Sequence, residues 1–310
     1  MQLKDKIQWH YHQFLKHHFP FLWSKHLYKH TLGKTTDFSA PKDLNEKIQW
    51  LMFFTDTALW TLLADKYAVR RYVQNKVGAK YLIPILGKWD CAEDIDFDSL
   101  PDRFVIKPNN GSYDTVICHD KEKADLNKVR QKMSYSLAHK FGYESAEPHY
   151  LNIKPSIIAE DLLHTEDSFG LIDYKIWCFN GRPHCVFVCA NRDIENHKVD
   201  FVIYDLNWNK LTRYLTPMFE NSFECPRPEN FDEMLSVASK LSEGLPQVRV
   251  DLYNIRGKIY FGEMTLSSNF GMMPYFTSEA LLKMGELVKL PKRSNTEILT
   301  TFIKRWFPIV

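Results

Sequence analysis

The 310-residue chain contains no run of eighteen apolar residues, and its opening MQLKDKIQWHYHQ lacks the apolar core of a secretory signal. Neither a spanning helix nor a cleaved leader is expected, and the reading is a cytoplasmic protein. A surplus of one charge is missing too: 40 Lys and Arg face 38 Asp and Glu, a formal net charge of +2, which argues against nucleic acid as a partner. The 6 cysteines include no C-x-x-C pair, and Cys178, Cys185 and Cys189 sit in an apolar stretch, so they read as reduced core thiols rather than disulfides or zinc ligands. The 12 glycines form neither G-x-x-x-x-G-K-[ST] nor G-x-G-x-x-G, so P-loop and Rossmann mechanisms are not indicated. G-x-S-x-G and H-E-x-x-H are also absent, which removes serine hydrolases and zinc peptidases.

What is present is an ordinary globular composition, 45% hydrophobic and long enough for one elaborate domain or two plain ones. Residues 1–40 form a basic aromatic segment. From Lys4 to Lys34, six Lys, six His and one Asp are interleaved with Trp9, Tyr11, Phe14, Phe19, Phe21, Trp23 and Tyr28. It suits either peripheral contact with the anionic inner face of a membrane or a helix packed on the body with a solvated basic side. A third reading, metal binding by His26 and His30 at i,i+4, lacks a carboxylate or Cys partner.

Beyond Pro41 the pattern predicts helices. Asp43 and Glu46 form a D-x-x-E capping box ahead of Leu44, Ile48, Leu51 and Met52; a second helix starts at Asp56 with Leu59, Leu62 and Leu63; Asp65 caps a third carrying Val69, Tyr72 and Val73. The chain to about residue 90 thus reads as mostly helical. Strands follow at Phe104–Ile106 and Val116–Cys118 around a polar loop, then a helix capped by Asp125, and an apolar strand at Ser156–Ala159. Asn180-Gly181 joins Tyr174–Phe179 to His184–Ala190 as a hairpin. A helix over Phe231–Leu241, with an Asn230/Glu233 capping box, precedes a last hairpin, Val248–Tyr253 and Ile259–Met264. Blocks of helices and antiparallel hairpins favour α+β over a doubly wound sheet.

That last hairpin, VRVDLYNIRGKIYFGEMT, places charges within a segment built to be buried. Val248, Val250 and Leu252 face the core, leaving Arg249 and Asp251 on the other face. If the turn puts Asn254 opposite Lys258, Glu263 lies across from Arg249 and diagonal to Asp251, so two carboxylates converge and suit Mg²⁺. The competing reading is a surface Arg249–Glu263 ion pair. Register decides, because a two-residue Arg256-Gly257 turn would send Glu263 to the opposite face. Lys107 ends a buried strand before a loop holding Gly111 and Ser112, where a lysine and loop amides can receive phosphate. Lys175 is a second inward cation, and Arg192 offers a guanidinium fork. Glu160 and Asp161, adjacent on a strand, point to opposite faces and do not form a glycosidase pair.

The stretches LNEKIQWL, ADKYAVRRYV, FVIKPNNGS, IIAEDLL, DYKIWCFNGRP and RVDLYNIRGKIYFGEMT, spread over residues 41–271, resemble the TupA-like branch of the ATP-grasp superfamily, associated with bacterial surface-polysaccharide biosynthesis. The resemblance implies an ATP-grasp fold of two α+β subdomains clasping a nucleotide, divided as helical 41–100, first subdomain 101–163, second subdomain 164–290 and a tail 291–310. It implies that Lys107 and Lys175 contact the phosphates of ATP, that the loop of Asn110, Gly111 and Ser112 covers them, and that the hinge through Glu160, Asp161, Leu162 and Leu163 reads adenine. Asp251 and Glu263 would hold Mg²⁺, with Arg192 and Arg249 beside the transferring phosphate or the acceptor carboxylate. Two departures stand out: Glu263 is followed by Met264-Thr265 rather than x-Asn, which leaves Asn269 as the third metal ligand, and the loop has one glycine.

The function implied is ATP-dependent amide formation between a sugar carboxylate, such as a uronic acid of a surface glycan, and an amine such as an amino acid. The rivals are a nucleotide-sugar glycosyltransferase using a D-x-D-like site, for which only Asp94, Asp96 and Asp98 offer themselves, and a non-catalytic assembly protein docked through the basic N-terminus.

Overall fold

The computed structural model describes residues 3–112, 114–193, 198–219, 223–292 and 297–300. The chain opens with helices α1 (Leu3–His18) and α2 (Pro20–Leu32), followed by α3 (Leu44–Phe54), α4 (Ala58–Ala64) and α5 (Val69–Val77). Strands β1 (Ile85–Trp89), β2 (Phe104–Pro108) and β3 (Val116–Cys118) lead into helices α6 (Leu126–Ala138), α7 (Phe141–Glu144) and α8 (Pro148–Leu151), then strand β4 (Ile157–Asp161). The rest comprises β5 (Asp173–Phe179), β6 (Arg182–Asp193), β7 (Lys198–Asp205), α9 (Phe231–Ser242), β8 (Gln247–Ile255), β9 (Lys258–Thr265) and α10 (Ser278–Leu287).

The strands form two antiparallel sheets, ordered β1-β4-β2-β3 and β7-β6-β5-β8-β9, so the chain is α+β. In the first sheet, Phe104, Ile106, Ile157 and Ala159 are buried against Val129 and Met133 of α6 and against Ala92, Ile95, Phe97 and Leu100. In the second, Ile176, Val186 and Val250 are cross-strand neighbours and fully buried, and Cys178 on their face touches Ala238 of α9. Lys175, Phe187 and Asp251 are likewise paired across the strands and lie on the opposite face. Helices α3, α4 and α5 share the large core of the second sheet.

Local chemistry explains most boundaries. Asp43 and Glu46 form the expected capping box on α3, and Asp125 accepts from the Lys128 amide. Asn180 and Gly181, both at positive φ, make the two-residue β5–β6 turn. Elsewhere the sequence reading needs correction. Helix α4 starts at Ala58 and buries Trp60, Leu63 and Ala64, leaving Leu59 and Leu62 exposed, because the indole outweighs the leucines as the buried group. Strand β1 lies inside the stretch read as helical: Gly87 is open enough for the Trp89 ring to cover it, which a helix would not permit. Strand β7 was not anticipated at all. The Asn230/Glu233 capping box does not form; Asn230 donates to Gly257 O and accepts from Asn254, while Glu233 takes Lys80 and Tyr81. The five described cysteines other than Cys91 are buried thiols, and burial pushes Cys178 and Cys189 up to about 12.

One asparagine joins the helical segment to the first sheet. Asn109, 2% exposed, accepts at Oδ1 from the Ser156 amide (2.8 Å) and donates through Nδ2 to Asp65 (2.9 Å) and Lys154 O (3.0 Å). Its backbone donates to Ser156 O, and its carbonyl accepts from the Lys66 amide. Asn109→Ala leaves several buried partners unsatisfied and should lower unfolding free energy by about 2 to 4 kcal/mol, read from urea denaturation; a loss below about 0.5 kcal/mol would show that the junction holds without it.

Candidate active site

Alternation along β2 turns Ile106 into the core and Lys107 out of it, toward the end of the strand where the loop begins. Lys107 Nζ lies 2.5 Å from Glu160 Oε2, and Glu160 Oε1 lies 3.3 Å from Arg70 Nη1. Glu160 is buried on that face, while Asp161, half-buried, ends β4 with its amide bonded to Pro84 O; Leu162 and Leu163 follow, partly covered. Asn110 and Gly111 are buried, Gly111 standing close to Phe141, and Ser112 reaches the cavity described below. Tyr113 lies outside the described residues.

A third lysine belongs here that sequence reasoning missed. Lys66, in the turn between α4 and α5, donates to Gly111 O from beneath the loop. Burial lowers its pKa, and Lys107 nearby lowers it further, against the pull of Glu263, Asp65 and Glu160. Lys66 is one of four charged residues in ADKYAVRRYV, and nothing in the stretch sets it apart from Asp65, Arg70 and Arg71.

The β8–β9 hairpin settles the register question unexpectedly. Ile255 pairs with Lys258, so the turn is the two-residue Arg256-Gly257 form, with φ 50 and 80. That register would have sent Glu263 to the wrong face, but a bulge between Asp251 and Leu252 shifts the pairing, so that Asp251 stands opposite Glu263 and Arg249 opposite Thr265. The extra residue is Gly262, where a Cβ would come within 3.1 Å of Asp251 O. The carboxylates do converge, through the bulge rather than through the turn.

Asp251 is not idle. Arg249 Nε and Nη2 fork onto Oδ1 and Oδ2, each at 2.7 Å, and Lys175 Nζ reaches Oδ2 at 2.6 Å. Burial alone would raise the Asp251 pKa, but Arg249 and Lys175 outweigh it and hold the group below its usual value. Lys175 also pairs with Asp173 at 2.5 Å, and burial raises the Asp173 pKa despite that partner. Arg192, more than half exposed, stands 3.7 Å from Asp173.

Lys175, Arg192, Arg249, Glu263 and Asn269 all line one cavity of about 380 Å³, with Ser112 at its mouth on the loop side. Asn269, at φ 45, donates from Nδ2 to Met272 O at 2.6 Å, so only its Oδ1 could serve a cation. Among the described residues no three His, Cys, Asp or Glu side chains form a metal cage. Mg²⁺ does not need one, since it keeps waters and takes substrate phosphate. The residues present fit it: Glu263, 43% exposed, and Asn269 offer cavity-facing oxygens, while Asp251 lies behind with both oxygens engaged.

Two further features were not read from sequence. Phe187 stacks on Phe201 and Tyr275, at 5.2 and 5.6 Å, and with Phe219 they make an aromatic wall. Glu147, 3% exposed, lines the cavity and accepts from Ser267 Oγ. The acidic turn of the glycosyl-transfer alternative is exposed, with Asp96 accepting from the Asp98 and Ser99 amides as an ordinary turn cap. His26 stacks on Trp23.

Two antiparallel sheets, one ending in Lys107 and the other carrying a carboxylate hairpin beside a cavity, are the layout of an ATP-grasp enzyme, the class of ATP-dependent ligases. The chain belongs to the TupA-like ATP-grasp family, whose profile matches residues 46–289. Among solved structures it is similar to D-alanine–D-alanine ligase from Bacillus anthracis complexed with ATP, 13% identical, covering 86% of this chain and 69% of that one at a TM-score of 0.42. The D-alanine–D-alanine ligase from Helicobacter pylori is 16% identical over 80% of this chain and 69% of its own, at 0.43. L-amino acid ligase from Bacillus licheniformis is 15% identical over 68% and 44%, at 0.42. No curated protein matches the chain.

Burial pushes the Glu147 carboxyl up to about 8, above the 4.5 it would have in the unfolded chain. Between those values the folded state holds a proton the unfolded state has lost, so this group makes stability fall as pH rises. Urea midpoints taken from about pH 5 to about pH 8 should decline less steeply in Glu147→Gln than in the parent; parallel slopes would show that the group ionises normally.

Proposed function

We propose that the protein is an ATP-dependent carboxylate–amine ligase that activates a sugar carboxylate, such as a uronic acid of a surface glycan or its precursor, and joins it to an amine such as an amino acid. The observation that carries this reading is the cavity itself, lined by Lys175, Arg192 and Arg249 and by Ser112 of the loop whose Gly111 carbonyl Lys66 holds, with Lys107 beside Glu160 at the end of β2. ATP would be held with Lys107 at its phosphates, the Asn110–Ser112 loop above them and the Glu160–Leu163 segment beside adenine. Glu263 and Asn269, backed by Asp251, would hold Mg²⁺, which supplies charge neutralisation on the phosphates. Arg192, exposed toward the cavity, orients the acceptor carboxylate for attack on the γ-phosphate. Lys175 and Arg249 remain cationic, held so by their buried acidic partners, and offset charge on the transferring group. The carboxylate–phosphate O–P bond forms as ADP leaves; the amine then attacks the acyl carbon and phosphate departs. No enzyme nucleophile is required. The stacked Phe187, Phe201 and Tyr275 faces suit the apolar side of a sugar ring.

Thermal melting with Mg²⁺ and ATP tests this. At about a hundred times its dissociation constant, a ligand stabilises by about 2.7 kcal/mol. The shift should appear with ATP, vanish in Lys107→Ala, and lose its Mg²⁺ dependence in Glu263→Gln. Asp251→Asn is the poorer probe, since stripping a buried pair of its partner costs about 3 to 5 kcal/mol in fold stability. A shift with uridine-diphosphate sugars and none with ATP would favour glycosyl transfer instead.

The first helix supports a peripheral contact with an anionic membrane face. No described helix is long and apolar enough to cross a membrane. Yet Ile7, Trp9, Tyr11 and Phe14 of α1 are 52 to 62% exposed on a segment rich in Lys and His, the composition of an interfacial helix. Vesicles with about 30% anionic lipid should sediment the protein, and neutral vesicles should not, with each nearby cation contributing about 1 kcal/mol. Charging Ile7 and Phe14 as I7E and F14E should release it; retained binding would remove α1 from the contact.

A further inference from the structure

On the cavity wall each cation already has its acid. Lys175 holds Asp173 and Asp251, Arg192 stands near Asp173, and Arg249 holds Asp251 and Glu263. Glu147 is the exception. It lines the same cavity at 3% exposure, and no ion pair among the described residues includes it. Its hydrogen-bond partner is a hydroxyl: Ser267 Oγ donates to Oε1, while the nearby Ser145 hydroxyl donates to Phe141 O. His149 Nε2 lies 3.4 Å from the Ser267 oxygen.

The placement of this carboxyl is overdetermined by the backbone. The Glu147 amide bonds to Gly142 O at 2.9 Å, and a Cβ on Gly142 would come within 2.6 Å of the Glu147 carbonyl. Ala146 just before it sits at φ 55, a conformation that costs a residue with a side chain about 1 kcal/mol or more. Ser267, which grips the carboxyl, follows the β9 strand of the other sheet, so both halves of the molecule contribute to its position. A buried acid with no counter-ion is unfavourable unless it stays protonated or a cation arrives.

The neighbours indicate which cation. Phe141, Tyr150 and Phe270 line the cavity with Glu147, the Phe141 ring lying 5.1 Å from Tyr150 and 6.3 Å from Phe270. Aromatic faces attract an ammonium through their π-electrons. A hard dication would need further oxygen ligands in their place.

We propose that Glu147 is the docking group for the substrate amine, receiving it as an ammonium ion against the rings of Phe141, Tyr150 and Phe270. This rests on the ligase reading in needing an amine as second substrate, and it assigns that substrate the part of the cavity lined by Glu147, Phe141, Tyr150 and Phe270. Glu147 is then the residue that discriminates a free amine from the same compound with its nitrogen capped.

The test is thermal melting without nucleotide, using the twenty proteinogenic L-amino acids and their N-acetyl derivatives as probes. At least one free amino acid should raise the melting temperature of the parent, its N-acetyl form should not, and Glu147→Gln should lose the response. Should Glu147→Gln not fold, Glu147→Asp serves, with the half-saturating concentration raised by about tenfold. The proposal is overturned if no free amino acid acts on the parent, if capped and free forms act alike, or if the variants respond as the parent does. A rise caused by Mg²⁺ alone and lost in Glu147→Gln would overturn it in favour of a metal. Mg²⁺ with ATP is read in separate samples: a parent that answers to free amino acids but not to ATP would sink the ligase reading while leaving the ammonium site standing.

Discussion

The Asp251 carboxylate, buried and shared between Arg249 and Lys175, is the interaction on which the rest of the site depends. Three charges are taken out of water at the centre of the five-stranded sheet, at a desolvation cost of several kcal/mol per ion that only near-ideal geometry offsets. The sheet provides that geometry directly. Lys175 is the cross-strand partner of Asp251, and Arg249 is two residues along the same strand on the same face, so no loop has to be ordered to bring them together. Such an arrangement contributes little net stability. Its effect is that two cations are held rigidly, protonated and aimed at the cavity before any substrate arrives.

Around that centre the architecture divides the labour. The four-stranded sheet carries Lys107 and Glu160, and the five-stranded sheet carries the hairpin and the aromatic wall; helices α3–α5 pack on the second, and the α4–α5 turn and Arg70 reach the first. Gln49 of α3 donates to Phe270 O at 2.6 Å, next to the strained Asn269 and Phe270 backbone, and accepts from Ser24 of α2. Asn109 and Lys66 secure the covering loop from the same side. The helical segment thus acts as a frame for the site's two loops.

Much of this was legible in the sequence where a residue's role is local. The capping box at Asp43, the Asn180-Gly181 turn and the alternation of faces along β8, with Val248, Val250 and Leu252 in the core, follow from rules that operate over a few residues, and these hold. Roles set by neighbours distant in sequence did not show. The convergence of Asp251 and Glu263 was expected from a turn register that the chain does not adopt; the Gly262 bulge restores it, and nothing in FGEMT distinguishes a bulge glycine from an ordinary one. Lys66 and Glu147 sit in short turns between helices and acquire their settings from Gly111 and Ser267, which lie 45 and 120 residues away. Asn230 was assigned to its own helix because a capping box is local, but the hairpin competes for the same side chain and wins.

The Lys107–Glu160 contact has a consequence for how the molecule meets an anion. Lys107 is already occupied by an internal carboxylate, with Arg70 on that carboxylate's other oxygen. Glu160 is in this sense a placeholder. Any phosphate that takes Lys107 must compete with it, and the exchange leaves Glu160 to Arg70 alone rather than stranding it. Lys107 would then pass from one anion to another, a capture weaker than that by a bare lysine and correspondingly easier to reverse.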